Sequence, residues 1–278
     1  MAFTSAQRAV YSSILTSQIE KQLVLGNAVN YAYQPDAQFA KSVIINTLGS
    51  VTIGDYAAAT GLSGSLESVS FTSQTLTLDK QKYFNMYADA TLLSATNIDV
   101  IANATRNASY GLANAADVAI TALYSSFSSA SNAVLVGLQD SSTASGSMYD
   151  YLVDLSVKLS EANAPMNDRF CAVPFEALGL LSKDSRFTTQ NPVILANGVV
   201  QGATVAGMQL LATNNLNTTT TTKIMAFQKE AIAFAAGLNS IEAYNPENYF
   251  GQAIKGLYIF GVKAVVPAFG IYLPTVFE

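Results

Sequence analysis

Residues 256–277 read GLYIFGVKAVVPAFGIYLPTVF, and the reading of that stretch decides the fold. Its length and apolar content match the roughly 20 residues a membrane helix needs. Against a helix stand Lys263, Pro267 and Pro274, and a wealth of Val, Ile, Tyr and Phe. Proline removes a helical hydrogen bond, and branched and aromatic side chains suit a pleated surface. The stretch is expected as buried strands broken by turns, with no membrane span.

Working back from it, Ile241–Tyr244 and Gln252–Val266 form two strands joined by the turn Asn245-Pro246-Glu247-Asn248. Ile224–Phe227 and Ala231–Ala235 are two more. Val193–Val200 and Ala203–Ala212 pair, with Gly198 and Gly202 near their turn. The polar run Asn214–Thr222, with Thr218–Thr222 at its end, reads as an exposed loop, a receptor contact being the second reading. Earlier, Ser147 and Asp150 have the spacing of a helix capping box. The helix they open buries Leu152, Leu155 and Leu159 and stops before Pro165. Phe170–Val173 is a short strand, and Pro174 sits in the first turn of a helix running through Leu181.

The first half is organised differently. Phe3–Gln22 carries a helical stripe (Val10, Ile14, Leu15, Ile19, extended by Leu23), and Asn27–Ala40 is an extended arm. Val43–Ile53 is β-rich, and Asp55–Ser68 is small and Gly-containing. Val69–Leu78 (VSFTSQTLTL) then alternates apolar with Ser and Thr, a style that Tyr83–Ala88 continues. A two-stranded ribbon of this kind is marginal alone. It must lie on something, and a neighbouring subunit is a candidate. From Leu92 to Phe127 the apolar step becomes helical (Leu112, Ala116, Ile120, Leu123, Tyr124, Phe127). That predicts a helix of about 36 residues, ~54 Å long. The Ser-, Ala- and Gly-rich stretch Ser125–Ser147 reads as a domain boundary.

Composition narrows the function. The chain has 278 residues, of which 50% are hydrophobic and 12% charged, with a net charge of −5 and no basic block. Tight nucleic-acid binding needs clustered Lys and Arg, so none is expected. A thinly charged surface gives little protection against self-association. There is no His and one Cys, which excludes His-based triads, His-ligated zinc and a disulfide framework. Cys171, between Phe170 and Ala172, reads as a small buried hydrophobe. The carboxylates Asp150 and Asp154, and Glu176 and Asp184, read as solvated helix faces. Phosphate-binding Gly motifs are absent, and the Asn103, Asn107 and Asn217 glycosylation triplets lack a signal peptide to support them. Neither enzyme activity, cofactor nor metal is expected.

The order of elements, and the segments 164–173 (APMNDRFCAV), 198–202 (GVVQG), 205–207 (VAG), 213–216 (TNNL), 241–244 (IEAY), 248–251 (NYFG) and 256–263 (GLYIFGVK) followed by Val266-Pro267, resemble the major capsid proteins of tailed bacteriophages with the Hong Kong 97-like fold. The resemblance implies an α+β chain. Its parts would be an N-terminal arm (1–44), an extended β-ribbon loop (45–89), a peripheral domain with a long spine helix (90–145, returning at 238–278) and an axial domain (146–237). It implies self-assembly into pentamers and hexamers of an icosahedral shell enclosing double-stranded DNA. The location would be the virion, and the host cytoplasm during assembly. Expected partners are a separate scaffolding protein, since no fused scaffolding segment is evident, a portal, and a cement or decoration protein. Val69, Phe71, Lys80, Lys82 and Tyr83 are the expected inter-subunit contacts of the loop. Some members of the family cross-link a loop Lys to an Asn of another subunit, but no motif for that chemistry accompanies Lys80 or Lys82. An encapsulin-type cage shares the fold. A tail or baseplate protein is a third structural reading, and a secreted adhesin-like binding protein would require a signal peptide.

Overall fold

A computed structural model describes residues 24–34, 41–49, 51–53, 56–58, 61–62, 68–89, 100–130, 134–135, 147–184, 186–187, 194–196, 199–216 and 222–276. The helical stripe 3–22, the end of the arm (35–40) and most of the Thr run lie outside them. The strands are β1 (Ser42–Leu48), β2 (Tyr56–Ala57), β3 (Gly61–Leu62), β4 (Phe71–Thr77), β5 (Lys80–Asp89), β6 (Ser128–Ser129), β7 (Val134–Leu135) and β8 (Arg169–Val173). They continue with β9 (Ile194–Ala196), β10 (Val199–Val205), β11 (Met208–Ala212), β12 (Thr222–Gln228), β13 (Ile232–Tyr244), β14 (Gly251–Ala264) and β15 (Gly270–Val276). Among the described residues three α-helices join them: α1 (Val100–Thr121), α2 (Met148–Glu161) and α3 (Phe175–Lys183).

One mixed sheet runs β6-β15-β12-β8-β11-β10-β9, with β7 also on β15. Its central strands are continuous apolar runs because both faces are covered. Along β8, Cys171 and Val173 face the core under α2 and α3, whereas Phe170 and Ala172 face the core shared with α1. β12 divides the same way, Ile224 and Ala226 on one side and Met225 and Phe227 on the other. A three-stranded sheet, β13-β14-β5, closes the second core, to which it contributes Ile232, Phe234, Tyr258 and Phe260. The stripe Leu112, Ala116 and Ile120 of α1 fills the space between.

The described part of the stretch, 256–276, is strand broken by a turn, as expected: β14, a 3-10 turn at Pro267–Phe269, then β15. The turn at 245–250 joins β13 to β14 in a hairpin. Ser147 caps α2 in a full capping box with Asp150, and Leu152, Leu155 and Leu159 are buried. Cys171 is fully buried, and burial pushes its thiol up to about 12.

Several expectations are corrected. Helix α1 is described over 22 residues, about 33 Å, and ends at Thr121 instead of Phe127, while the expected start at 92–99 lies outside the described residues. It gives way to a 3-10 turn at Ala122–Ser126 so that Phe127 turns into the core and β6 can pair with β15. Gly270 makes room for the Phe127 ring, which a Cβ there would strike. The stretch read as a boundary thus supplies β6 and β7 to the sheet. Pro174 is the N-cap of α3, outside its first turn. The β10–β11 turn is Ala206-Gly207, both at positive φ (48° and 80°), the twist a two-residue hairpin turn demands; Gly202 lies inside β10. Ala231 ends a 3-10 turn, and Ile232–Ala235 and Ile241–Tyr244 belong to one 13-residue strand, β13, with a bulge between Ala236 and Asn239. The described end of the arm is a 3-10 turn, Gly26–Ala28, followed by a bridge from Asn30 to Ala233. Leu25, Ala28 and Val29 are wholly buried there.

Candidate functional site

The ribbon consists of β1 and β4, in antiparallel register from Ser42 opposite Thr77 to Leu48 opposite Phe71. Alternation gives it two faces. On one, Val43, Ile45 and Leu76 pack with Leu78, Ala233, Ala235 and Val265. Gln74 Nε2 donates to Val265 O at 3.1 Å, and Lys263 Nζ donates to Thr75 O at 2.8 Å. Gly261 permits this close seat, because a Cβ would meet the backbone at Thr77. The other face carries Ile44, Leu48 and Phe71, which are 61–67% exposed. Ser73 Oγ donates to Asn46 Oδ1 at 2.8 Å between them. Val51, Ile53, Tyr56 and Val69 extend the exposed apolar surface toward the tip. Only the base of the ribbon is seated; among the described residues nothing covers its outer half.

Of the five expected contact residues, Phe71 lies in that outer half and Val69 just beyond the ladder. Lys80, Lys82 and Tyr83 do not lie in the ribbon. They sit on β5, which pairs along its whole length with β14, Lys80 opposite Phe260 and Asp89 opposite Gly251. From there Phe71 is about 20 Å away along β4 at strand rise. The β5 residues also divide between faces. Lys80 and Lys82 share the side of Phe84, which packs toward α1, and Tyr83, 79% exposed, is on the opposite side. Leu48 and Ile44, not singled out from the sequence, share the exposed face with Phe71, a placement given by their register opposite Phe71 and Thr75. At the β13–β14 hairpin tip, Tyr87 Oη donates to Phe250 O at 2.8 Å, the Tyr87 ring lies tilted against Tyr249 at 5.3 Å, and Phe250 is 92% exposed.

Polar groups cluster at two other places. Asp150 and Asp184 are brought together by Arg186, whose guanidinium reaches both at 2.8 Å; Ser147 Oγ donates to Asp184 Oδ2 at 2.7 Å. The Arg186 hydrogen bonds hold both carboxyls below their ordinary value, Asp184 far below it. Depressed carboxylates stabilise the fold above their ordinary pKa and cease to do so as pH falls through the folded values. Arg186→Ala is therefore expected to weaken the α2–α3 junction at neutral pH, only slightly through Asp150, whose pair with Arg186 is half exposed, and more through Asp184, whose side chain is 9% exposed. Denaturation midpoints should show that deficit shrinking as pH falls through the folded values of both carboxylates.

Asp117 on α1 is 3% exposed. Its carboxylate accepts from Val24 N (3.2 Å) and Leu25 N (3.4 Å), tying the arm to the helix. Burial outweighs these bonds and raises it from 3.8 to about 6. A raised carboxyl stabilises the fold when protonated, below its unfolded pKa, and that contribution of about 3 kcal/mol is lost as pH rises through 6. Asp117→Asn should remove this dependence. Between pH 4 and pH 7.5, unfolding free energy should move about 3 kcal/mol in the variant's favour relative to the parent.

Among the described residues no group of three or more His, Cys, Asp or Glu is placed to hold a metal ion. No described helix is long and apolar enough to cross a membrane. Neither a protein-family model nor a curated protein matches the sequence. Solved structures do. A chain of Mycobacterium phage Che8 superposes with a TM-score of 0.71 at 23% identity, over 90% of each chain. The capsid of Cyanophage P-SCSP1u gives 0.64 at 16% identity, over 87% of this chain and 85% of that one. The chain has a phage-capsid fold. A virus-like particle from Pyrococcus furiosus gives 0.59 at 14% identity, covering 94% of this chain and 96% of that one.

Proposed function

We propose that this chain is the major capsid protein of a tailed bacteriophage, building the icosahedral head shell around double-stranded DNA. The observation that carries the reading is the half-seated ribbon. A capsid-fold chain buries the base of β1 and β4 and leaves Leu48, Val69 and Phe71 exposed at 61–67%, an apolar strip that a second copy would cover. In this reading the fold is of the Hong Kong 97-like type, with arm 1–44, extended loop 45–89, peripheral domain 90–145 and 238–278, and axial domain 146–237. β5 is the strand on which the loop returns to the peripheral sheet. Val69 and Phe71 contact a neighbour through the ribbon, and Lys80, Lys82 and Tyr83 contact one from the sheet. The role is structural, not catalytic.

The partners in this proposal are further copies in pentamers and hexamers, a separate scaffolding protein, a portal, and a decoration protein. The packaged DNA is enclosed without tight binding, as the net charge of −5 favours. The protein resides in the virion after assembly in the host cytoplasm. One sequence must fit rings of five and of six, and the arm and ribbon absorb the difference; identical arm and ribbon conformations in every subunit of a shell would contradict this. The encapsulin-type cage is the second reading, favoured by the full-length match to the Pyrococcus particle. Light scattering and electron microscopy of the purified chain test the shell reading. Closed particles are expected, and a monomer that stays monodisperse with scaffolding protein added would refute it. Packaged DNA in particles from infected cells, against protein cargo, separates phage head from cage.

A further inference from the structure

A cavity of about 410 Å³ lies where α1 meets the start of the arm, the N-cap of α3 and the turn after β11. Its polar lining includes buried Asp117 together with Asn114 and Asn215, whose side chains bond each other at 2.9 Å. Its aromatic lining is Tyr110 and Phe175, which are 64% and 41% exposed. None of the described residues lining it is basic. A carboxylate withdrawn from water without a cation is costly, and aromatic faces beside it attract positive charge. We propose that this cavity is a socket for a basic side chain, a guanidinium or ammonium carried by a second copy of this chain, with Asp117 as its counter-charge.

The source rests on the shell reading; the socket does not. Among the described residues only Lys80, Arg186 and Lys255 sit in ion pairs. Exposed cations such as Lys41, Lys82, Arg106 and Lys183 are therefore open to a neighbour. Entering between Tyr110 and Phe175, such a side chain would exchange water for two ring faces and a carboxylate. Asp117 already spends lone pairs on the Val24 and Leu25 amides, so the same group would couple arm docking to the arrival of a neighbour.

The socket is tested on the full-length chain by NMR. Ethylguanidinium is titrated beside ethylurea, which has the same shape without the charge, and the amides of Ala113, Ala212 and Asn215 are followed. Saturable shifts with ethylguanidinium alone are expected. Asp117→Asn should abolish them. Tyr110→Ala, an exposed position that leaves the arm anchor intact, should weaken binding about two- to five-fold. Equal responses to both probes, no response, or binding unchanged in both variants would overturn the socket. The source is read from a reconstruction of the assembled particle. A Lys or Arg of a neighbouring subunit within ion-pair distance of Asp117 supports the second copy; an empty cavity, or a cation from the same chain or another protein, overturns it. If no particle forms, the shell reading fails and the source with it, while the titration still decides the socket.

Discussion

Replacing Leu48 and Phe71 together with aspartate should abolish shell formation while leaving the isolated chain folded. The two residues face each other across the ribbon and are 61% and 67% exposed in the single chain. Exposed substitutions of this kind change stability within about ±0.5 kcal/mol, so the melting temperature of the unassembled chain should hardly move. Under a neighbour the same positions are dry. Burying a Leu or Phe is worth about 1.5–3 kcal/mol each, and an unpaired carboxylate buried in their place costs more than that gain. Repeated at every subunit, the deficit leaves no stable shell. Light scattering measures assembly and circular dichroism the melt; shells formed as readily as by the parent would remove the ribbon from the interface.

The second large effect is on folding itself. Arg169 is 4% exposed, and no acidic side chain pairs with it among the described residues. Its guanidinium donates to Ala164 O (2.7 Å), Pro165 O (2.8 Å), Ser160 Oγ (3.0 Å) and Ser156 O (3.4 Å). It thereby satisfies carbonyls at the end of α2 and holds the loop that leads into β8. That loop contains Asn163 and Asp168 at positive φ (58° and 53°), a conformation that costs energy for residues other than glycine. Arg169→Met keeps the volume but strands those acceptors, each worth about 1–3 kcal/mol when left unmade. A loss of about 3–5 kcal/mol is expected in denaturant unfolding. Arg169→Lys should recover only part of it, because an ammonium cannot span the fork. A loss within the surface range for the Met variant would mean that the loop holds itself.

What could be read from the sequence follows from what each local pattern encodes. The apolar runs 170–173 and 224–227 announce strands, and the spacing of Ser147 and Asp150 announces a capped helix. Partner choice is another matter. The alternation in 80–89 is the same whether β5 lies beside β4 or β14, so the misplacement of Lys80, Lys82 and Tyr83 in the ribbon was not avoidable from periodicity. The α1 stripe continues in step through Leu123, Tyr124 and Phe127, yet the helix stops because Phe127 is needed under Gly270. Gly237 looks like a break but lies in a bulge inside β13, between the paired Ala236 and Asn239. Asp117 was not singled out from the sequence; it is the arm, 93 residues away in sequence, that folds against it and donates hydrogen bonds to its carboxylate.

The most direct measurement is a reconstruction of the assembled particle at side-chain resolution. The account predicts the outer face of β1 and β4 seated on a neighbouring subunit, with Leu48, Val69 and Phe71 out of solvent in hexamers and pentamers alike. Particles in which that face points into solvent in every subunit would contradict it.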